Sequence, residues 1–319
     1  MAARIMTGAQ IPTGADSVIP IENTDQQRPE SGPLISTQVS ILHPGKSGDY
    51  VRPEGQDLRK GQTILERGHR LRPQDIGMLA TIGAARVPVY RCPKIALFST
   101  GDELVPPDQA LGPGQIHDSN SYTLAALVRQ AGGDPIILET VPDDAGLIRE
   151  RLNRAAEQGA DLILTSAGVS VGTYDYVRQV VEEEGEILFW RVNMRPGKPL
   201  AFGSYRGVPL AGLPGNPASA FVGFEVFIKP AIEILSGSKE IHRTTVKVKL
   251  AGPIESDGRE SYLRGIITFA SDPPTARLTG HQGSGNLFSL VQANALLIIP
   301  SGVKSLPAGS EVDAWLLEV

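Results

Sequence analysis

The sequence predicts an α/β fold: a mostly parallel sheet flanked by helices, with a smaller β domain on either side and a linking helical segment. Three observations predict it. Between Pro93 and Leu235, apolar runs of strand length alternate with helical segments, the order that generates parallel sheets. Before residue 52 and after Gly237, short alternating stretches are separated by Gly and Pro turns instead, as in small β domains. A length of 319 residues suits two or three domains better than one core.

Residues 1–52 read as a partial β domain, with apolar stretches at 17–21 and 34–42. Residues 53–92 read as the linking segment. It holds one helix over 71–83, where Pro73 suits the first turn and Gly83 the residue past the end. Residues 93–240 form the α/β domain. Strands are expected at 94–99, 135–140, 161–165, 187–192 and 208–213, and helices at 119–130, 143–158, 174–184 and before Leu235. Residues 241–319 form the C-terminal β domain, with strands at 246–250, 263–269, 295–300 and 311–317.

Composition narrows the function. With 41% hydrophobic and 20% charged residues the chain is globular rather than disordered, and 35 Gly with 25 Pro imply many tight turns. A net charge of −5 provides no general attraction to nucleic acid or anionic membrane, so an anion site has to be a local basic patch. Cys92 is the only cysteine, which excludes an internal disulfide and a cysteine-rich metal site; at a strand entry beside Pro93 it reads as core filler. No apolar run reaches the roughly 18 residues of a membrane span, and the N-terminus lacks a signal-peptide pattern. A cytoplasmic protein is expected.

Open parallel sheets bind ligands beyond the carboxyl ends of their strands, and four loops fall there. The first, Ser99-Thr-Gly-Asp-Glu-Leu104, sets Asp102 and Glu103 at the sheet edge, where carboxylates hold Mg²⁺ or simply face water in a turn. The second, from Thr165 through Ser166, Ala167, Gly168 and Ser170 to Asp175, is rich in small residues. Backbone N–H groups there can approach a phosphate, and small residues equally permit close packing. It is neither a Walker loop nor a dinucleotide fingerprint. The third, Asn193-Met-Arg-Pro-Gly-Lys-Pro199, carries Arg195 and Lys198 on a stiff turn. Residues 187–224 hold four basic residues and no acid, which suits an oxyanion or an ordinary basic surface. The fourth, Gly212-Leu-Pro-Gly-Asn-Pro-Ala-Ser219, leads into a helix through Pro214, Gly215, Asn216 and Pro217. Alone it is a good helix start and nothing more. The five histidines lack metal-ligand spacing, and no G-x-S-x-G elbow is present.

In this order the four loops resemble those of molybdopterin molybdenumtransferases, the family of bacterial MoeA and the gephyrin E domain. The resemblance extends to Arg4-Ile-Met-Thr-Gly-Ala9 with Gly14-Ala-Asp16, Ile116-His-Asp-Ser-Asn120, Gly258-Arg259 with Arg264, and His281-Gln-Gly-Ser-Gly285, nearly the whole chain. It implies a molybdopterin-binding α/β domain in a cytoplasmic homodimer. It also implies insertion of molybdate into adenylyl-molybdopterin with Mg²⁺ and release of AMP. By motif, Glu103, Asp143 and Asp175 would be catalytic carboxylates, with Asp102, Glu103 and Asp175 at the metal. Arg195, Lys198, Arg264 and Ser284 would hold molybdate or phosphate, and Ser166, Gly168, Ser170 and Pro214 to Pro217 the pterin and nucleotide. A molybdopterin adenylyltransferase and molybdoenzyme-maturation proteins are the implied partners, with neither nucleic acid nor membrane.

Four features depart from the family pattern. Ala167 stands where a second glycine is usual, Thr173 where an acid is common, and Arg195 where lysine is common. The family also has a longer stretch before Arg4, including an acidic Asp-Gly-Tyr-Ala segment, so only part of the first β region is expected here. An inactive dimeric scaffold and a molybdopterin adenylyltransferase are the alternatives. The flanking β regions and the Pro-Gly-Lys-Pro turn favour the molybdate-inserting type over the latter.

Overall fold

A computed structural model describes residues 1–26, 38–168, 176–239, 241 and 243–317. The chain forms two compact units, Met1–Arg67 and Gly68–Val319.

In the first unit the described residues form turns and extended chain around a 3-10 turn, Ile21–Asn23, with one isolated antiparallel bridge between Thr24 and Ile41. No strand forms at 17–21, contrary to expectation, and of the 34–42 stretch residues 34–37 lie outside the described residues. The physical reason is local. Val18 N–H is used by Asp49 O, Gly48 N–H by Asp16 O, and Asp25 caps Ser40 N–H, so turn contacts occupy the backbone groups that a ladder would need.

The second unit opens with α1 (Pro73–Thr81), which has proline in its first turn and is followed, past its cap Ile82, by Gly83 at φ +76. Asp75 accepts the Arg72 N–H at 2.8 Å, closing the helix start. There follow β1 (Lys94–Ser99), the short pair β2 (Leu104–Val105) and β3 (Ile116–His117), α2 (Asn120–Gln130), β4 (Asp134–Ile137), α3 (Ala145–Glu157), β5 (Leu162–Ser166) and α4 (Tyr176–Glu184). Next come β6 (Gly185–Arg191), β7 (Met194–Arg195), β8 (Pro199–Tyr205), β9 (Val208–Leu213) and α5 (Pro217–Gly223). A π-helical turn, Phe224–Ile228, leads into α6 (Lys229–Leu235).

Six of these strands make one sheet in the order β4-β1-β5-β9-β8-β6. The first four are parallel; β8 runs antiparallel to both neighbours. Ile95, Leu97, Leu162 and Leu164 face α2, α5 and α6 across one layer, while Ala96, Phe98 and Ile163 face α3 and α4 across the other. That two-sided burial is why β1 and β5 read as unbroken apolar runs rather than alternations. Each fully buried leucine in such a layer contributes about 1.5–3 kcal/mol.

Strand β8 is missing from the sequence-based reading because Gly203 and Ser204 dilute its apolar signal. The glycines on β6 and β8 have a reason: a Cβ at Gly203 would fall 2.0 Å from Glu186 O, and one at Gly185 2.0 Å from Ser204 O. Arg206 and Gly207, both at positive φ, turn β8 into β9. The helix expected from Asp143 starts at Ala145 because Asp144 caps it, accepting Leu147 N–H at 2.9 Å. Cys92 is exposed, which corrects its reading as core filler; Pro93 is the residue that turns inward.

The C-terminal part contains β10 (Thr245–Leu250), β11 (Ile254–Glu255), β12 (Glu260–Thr268), β13 (Thr275–Leu278), α7 (Phe288–Gln292), β14 (Ala295–Ile299), β15 (Ser305–Leu306) and β16 (Glu311–Leu316). Strands β13, β10, β16, β14 and β12 pair in turn, and β13 returns to β12, so the sheet closes on itself like a barrel. Closure leaves the first residues of β12 free to take one more partner, and that partner is β7 from the basic loop: Met194 pairs with Glu260 and Arg195 with Ser261. Among the described residues, no helix is long and apolar enough to cross a membrane.

Candidate active site

The loops after β1, β5 and β9 lie at the carboxyl edge of the parallel strands. On one side they gather carboxylates. Asp102 Oδ1 accepts the Asp143 N–H at 3.1 Å, which fixes the two loops to each other. Gly101 sits at φ +151, and a Cβ there would lie 2.6 Å from Glu103 Oε2, so the missing side chain lets Glu103 fold back over the turn. The Asp143 carboxyl is pushed above its ordinary value by partial desolvation and then by the negative charges of Asp102 and Glu103, against a lowering contribution from the Thr100 hydroxyl. Three of the sequence-derived acids therefore share one field. Asp175, the fourth, lies outside the described residues, as does Ser170. Among the described residues, no three of His, Cys, Asp or Glu converge on a common point.

At the centre, Asn120 Nδ2 donates to Ser166 Oγ and to Gly215 O, both at 2.7 Å. Asp118, 3% exposed, accepts from Ser121 Oγ at 2.6 Å, Thr140 Oγ1 at 2.8 Å and Ser99 Oγ at 3.2 Å. These residues brace three strand ends without projecting far into the site. The sequence marks Asp118 and Asn120 only as part of the string Ile116 to Asn120 and assigns neither a role. Only the fold reveals that Asn120 reaches two loops distant in sequence.

Ala167 and Gly168 follow at φ +71 and +70. For Gly168 the absent side chain is needed: a Cβ would meet Val177 Cγ2 at 2.5 Å. Ala167 carries its methyl in the left-handed region, at a cost of about 1–2 kcal/mol. Ala167→Gly is expected to stabilise the chain by about 1 kcal/mol, after the entropy glycine gains on unfolding, and urea denaturation would measure it. An unchanged or lower midpoint would show that the methyl contact toward Gly215 compensates.

The other side of the site is basic. Strand β7 holds Arg195 on the barrel, where its Nη1 lies 3.9 Å from Asp257 Oδ2. Arg259 Nη1 donates to Met194 O at 3.1 Å while its Nε donates to Asp257 at 3.1 Å, so the Gly258-Arg259 motif supports the loop carrying Arg195. Lys198 is exposed on the same turn, without an ion-pair partner among the described residues. Arg264 is 0% exposed. Its Nε donates to Ser289 Oγ and its Nη2 to Gly283 O, each at 2.9 Å, and among the described residues its Nη1 has no partner. Desolvation, and then the positive charge of Arg195, lower the Arg264 guanidinium to about 10.

The Pro214 to Pro217 loop joins the two sides. Ser284 O accepts Ala218 N–H at 3.0 Å at the start of α5, and a Cβ at Gly285 would be 3.8 Å from Asn216 Oδ1. Across the loop, a Cβ at Gly215 would be 3.1 Å from Ala167 Cβ. Ser166, Gly168, Gly215, Asn216 and Ser284 thus stand on neighbouring segments of the chain.

Known proteins match the chain along nearly its whole length. Residues 96–234 match the family described as "Probable molybdopterin binding domain", residues 1–83 the "MoeA N-terminal region (domain I and II)" and residues 247–317 the "MoeA C-terminal region (domain IV)". A molybdopterin molybdenumtransferase of Nostoc sp. is 40% identical over 98% of this chain and 71% of its own length. Molybdopterin molybdenumtransferase 2 of Mycobacterium tuberculosis is 37% identical over 98% and 76%. The crystal structure of a molybdopterin biosynthesis MoeA protein from Pyrococcus horikoshii superposes with a TM-score of 0.79 at 30% identity, covering 98% of this chain and 74% of that one. With all three regions matched in order and relatives of this identity aligned along almost its whole length, the chain belongs to the molybdopterin molybdenumtransferase family.

Proposed function

We propose that the chain inserts molybdate into adenylyl-molybdopterin with Mg²⁺ and release of AMP, as a cytoplasmic homodimer. The observation that carries the oxyanion part is Arg264: a buried guanidinium with Nη1 unpartnered and a second arginine nearby is short of negative charge. A tetrahedral dianion supplies it, and Arg195, Lys198, Ser284 and Arg264 would bind it through cationic and hydroxyl donors. Ser166, Gly168, Ser170 and the Pro214, Gly215, Asn216, Pro217 loop would orient the pterin and nucleotide beside it.

The acidic side supports the metal. Asp143 is held protonated more strongly than usual by partial desolvation and then by the negative charges of Asp102 and Glu103, and hard carboxylate oxygens suit Mg²⁺. Asp102, Glu103 and Asp175 would hold the ion, which when bound neutralises charge developing on the phosphoanhydride. Asp143 and Glu103 would orient the phosphate or exchange a proton with it.

The test is AMP release from adenylyl-molybdopterin with Mg²⁺, with and without molybdate, in the wild-type chain and in Lys198→Ala. Release should depend on molybdate and fall about tenfold in the variant, the loss expected of one exposed cationic contact. Release indifferent to molybdate would remove the proposal, and adenylylation of molybdopterin from ATP would favour the adenylyltransferase instead.

A further inference from the structure

Among the described residues Arg264 is the largest side chain with no exposure, and a guanidinium is useful to a ligand only if the correct edge faces it. Its Nε–H and the nearer hydrogen of Nη2 form one edge, committed to Ser289 Oγ and Gly283 O. The end edge, Nη1 with the second hydrogen of Nη2, remains for a ligand. Ser289 can accept from Nε because its own hydrogen is used elsewhere: Oγ donates to Asn286 O at 2.6 Å, and Asn286 Oδ1 accepts Ser289 N–H at 3.2 Å. A guanidinium has no acceptor, so the hydroxyl meets the arginine only through an oxygen lone pair. The same segment also grips the arginine backbone, since Gln282 Oε1 accepts Arg264 N–H at 2.8 Å and Gln282 Nε2 donates to Arg264 O at 3.1 Å.

We propose that Ser289 is a positioning residue, locking the Arg264 guanidinium through Nε in the rotation that turns its Nη1 edge toward a tetrahedral oxyanion. This rests on Arg264 being an oxyanion ligand. Ser289 itself does not touch the anion. Ser289 is 1% exposed at the start of α7, and a serine kept only for helix packing would have no need to accept from Nε.

A double-mutant cycle tests it. Sodium molybdate is titrated calorimetrically, into the high-millimolar range, against the full chain as wild type, Ser289→Ala, Arg264→Lys and the double variant. Thermal unfolding confirms that each is folded, and Ser289→Cys, of similar volume but a poor acceptor, replaces the alanine variant if that one unfolds. Ser289→Ala should weaken binding about tenfold in the wild-type background. In the Arg264→Lys background it should weaken binding less than twofold, because lysine has no Nε–H for Ser289 to hold. An equal loss in both backgrounds, or no loss in the first, overturns the positioning role. Wild-type binding that is absent, or unchanged in Arg264→Lys, would instead overturn the oxyanion reading beneath it.

Discussion

Arg264→Met is expected to lower molybdate-dependent turnover about 100- to 1,000-fold, the loss typical of a preorganised donor to a developing or bound oxyanion, while leaving the fold nearly as stable as the wild type. The two parts of this expectation have one cause. Burial lowers the guanidinium from its ordinary value to about 10, a cost to the folded state of roughly 3 kcal/mol. A basic group depressed in this way costs stability at every pH below about 10, and the cost disappears only as pH rises from there toward the ordinary arginine range. Methionine removes it. Against that gain stand a lost acceptor interaction at Ser289, which keeps its bond to Asn286 O, and an orphaned Gly283 O, worth about 1–3 kcal/mol together. The terms nearly cancel, so the urea midpoint should shift little. Molybdate should raise the melting temperature of the wild type and not of the variant. A variant that unfolds early yet retains the molybdate shift would mean that Arg264 is a structural strut.

Much of this architecture was legible in the chain because its determinants are local. Ile95 to Phe98 is apolar throughout since helices cover both faces of β1, and Pro73 with Gly83 bracket α1 by backbone geometry alone. The misreadings arise where partners are distant. Residues 17–21 look like a strand but their backbone groups meet turns, whereas β7 is two residues long and exists only because β12 offers it an edge. The site divides in the same way. Charge and loop chemistry pointed to Asp102, Glu103, Arg195 and Lys198. Arg264 was reached through resemblance, since nothing in its surroundings along the chain distinguishes a fully buried arginine from a surface one. Asn120 and Ser289 act through contacts across 46 and 25 positions. No periodicity carries that information.

Asp143→Asn should reduce turnover about 100- to 10,000-fold, the range for a positioned acid–base group, and should also make the ligand-free chain more stable. Asp143 is raised above the ordinary carboxylate value by desolvation and by Asp102 and Glu103. The sign follows from linkage. A carboxyl raised on folding favours the folded state below its unfolded pKa, and that advantage is lost as pH rises through the folded one, so at neutral pH the ionised form is a burden. Asparagine keeps the shape and the N–H bonded to Asp102 without the charge. The extra stability of the variant should therefore be present at pH 7 and vanish as pH falls below the carboxylate range. Mg²⁺ should act in the opposite sense: by neutralising the cluster it should stabilise the wild type more than the variant, and more at pH 7 than at pH 5. Thermal unfolding from pH 7 down through the carboxylate range, with and without Mg²⁺, reads both effects. If the variant were less stable at pH 7 and showed the wild-type response to Mg²⁺, the three carboxylates would not share a field, and the metal would have to be sought away from Asp143.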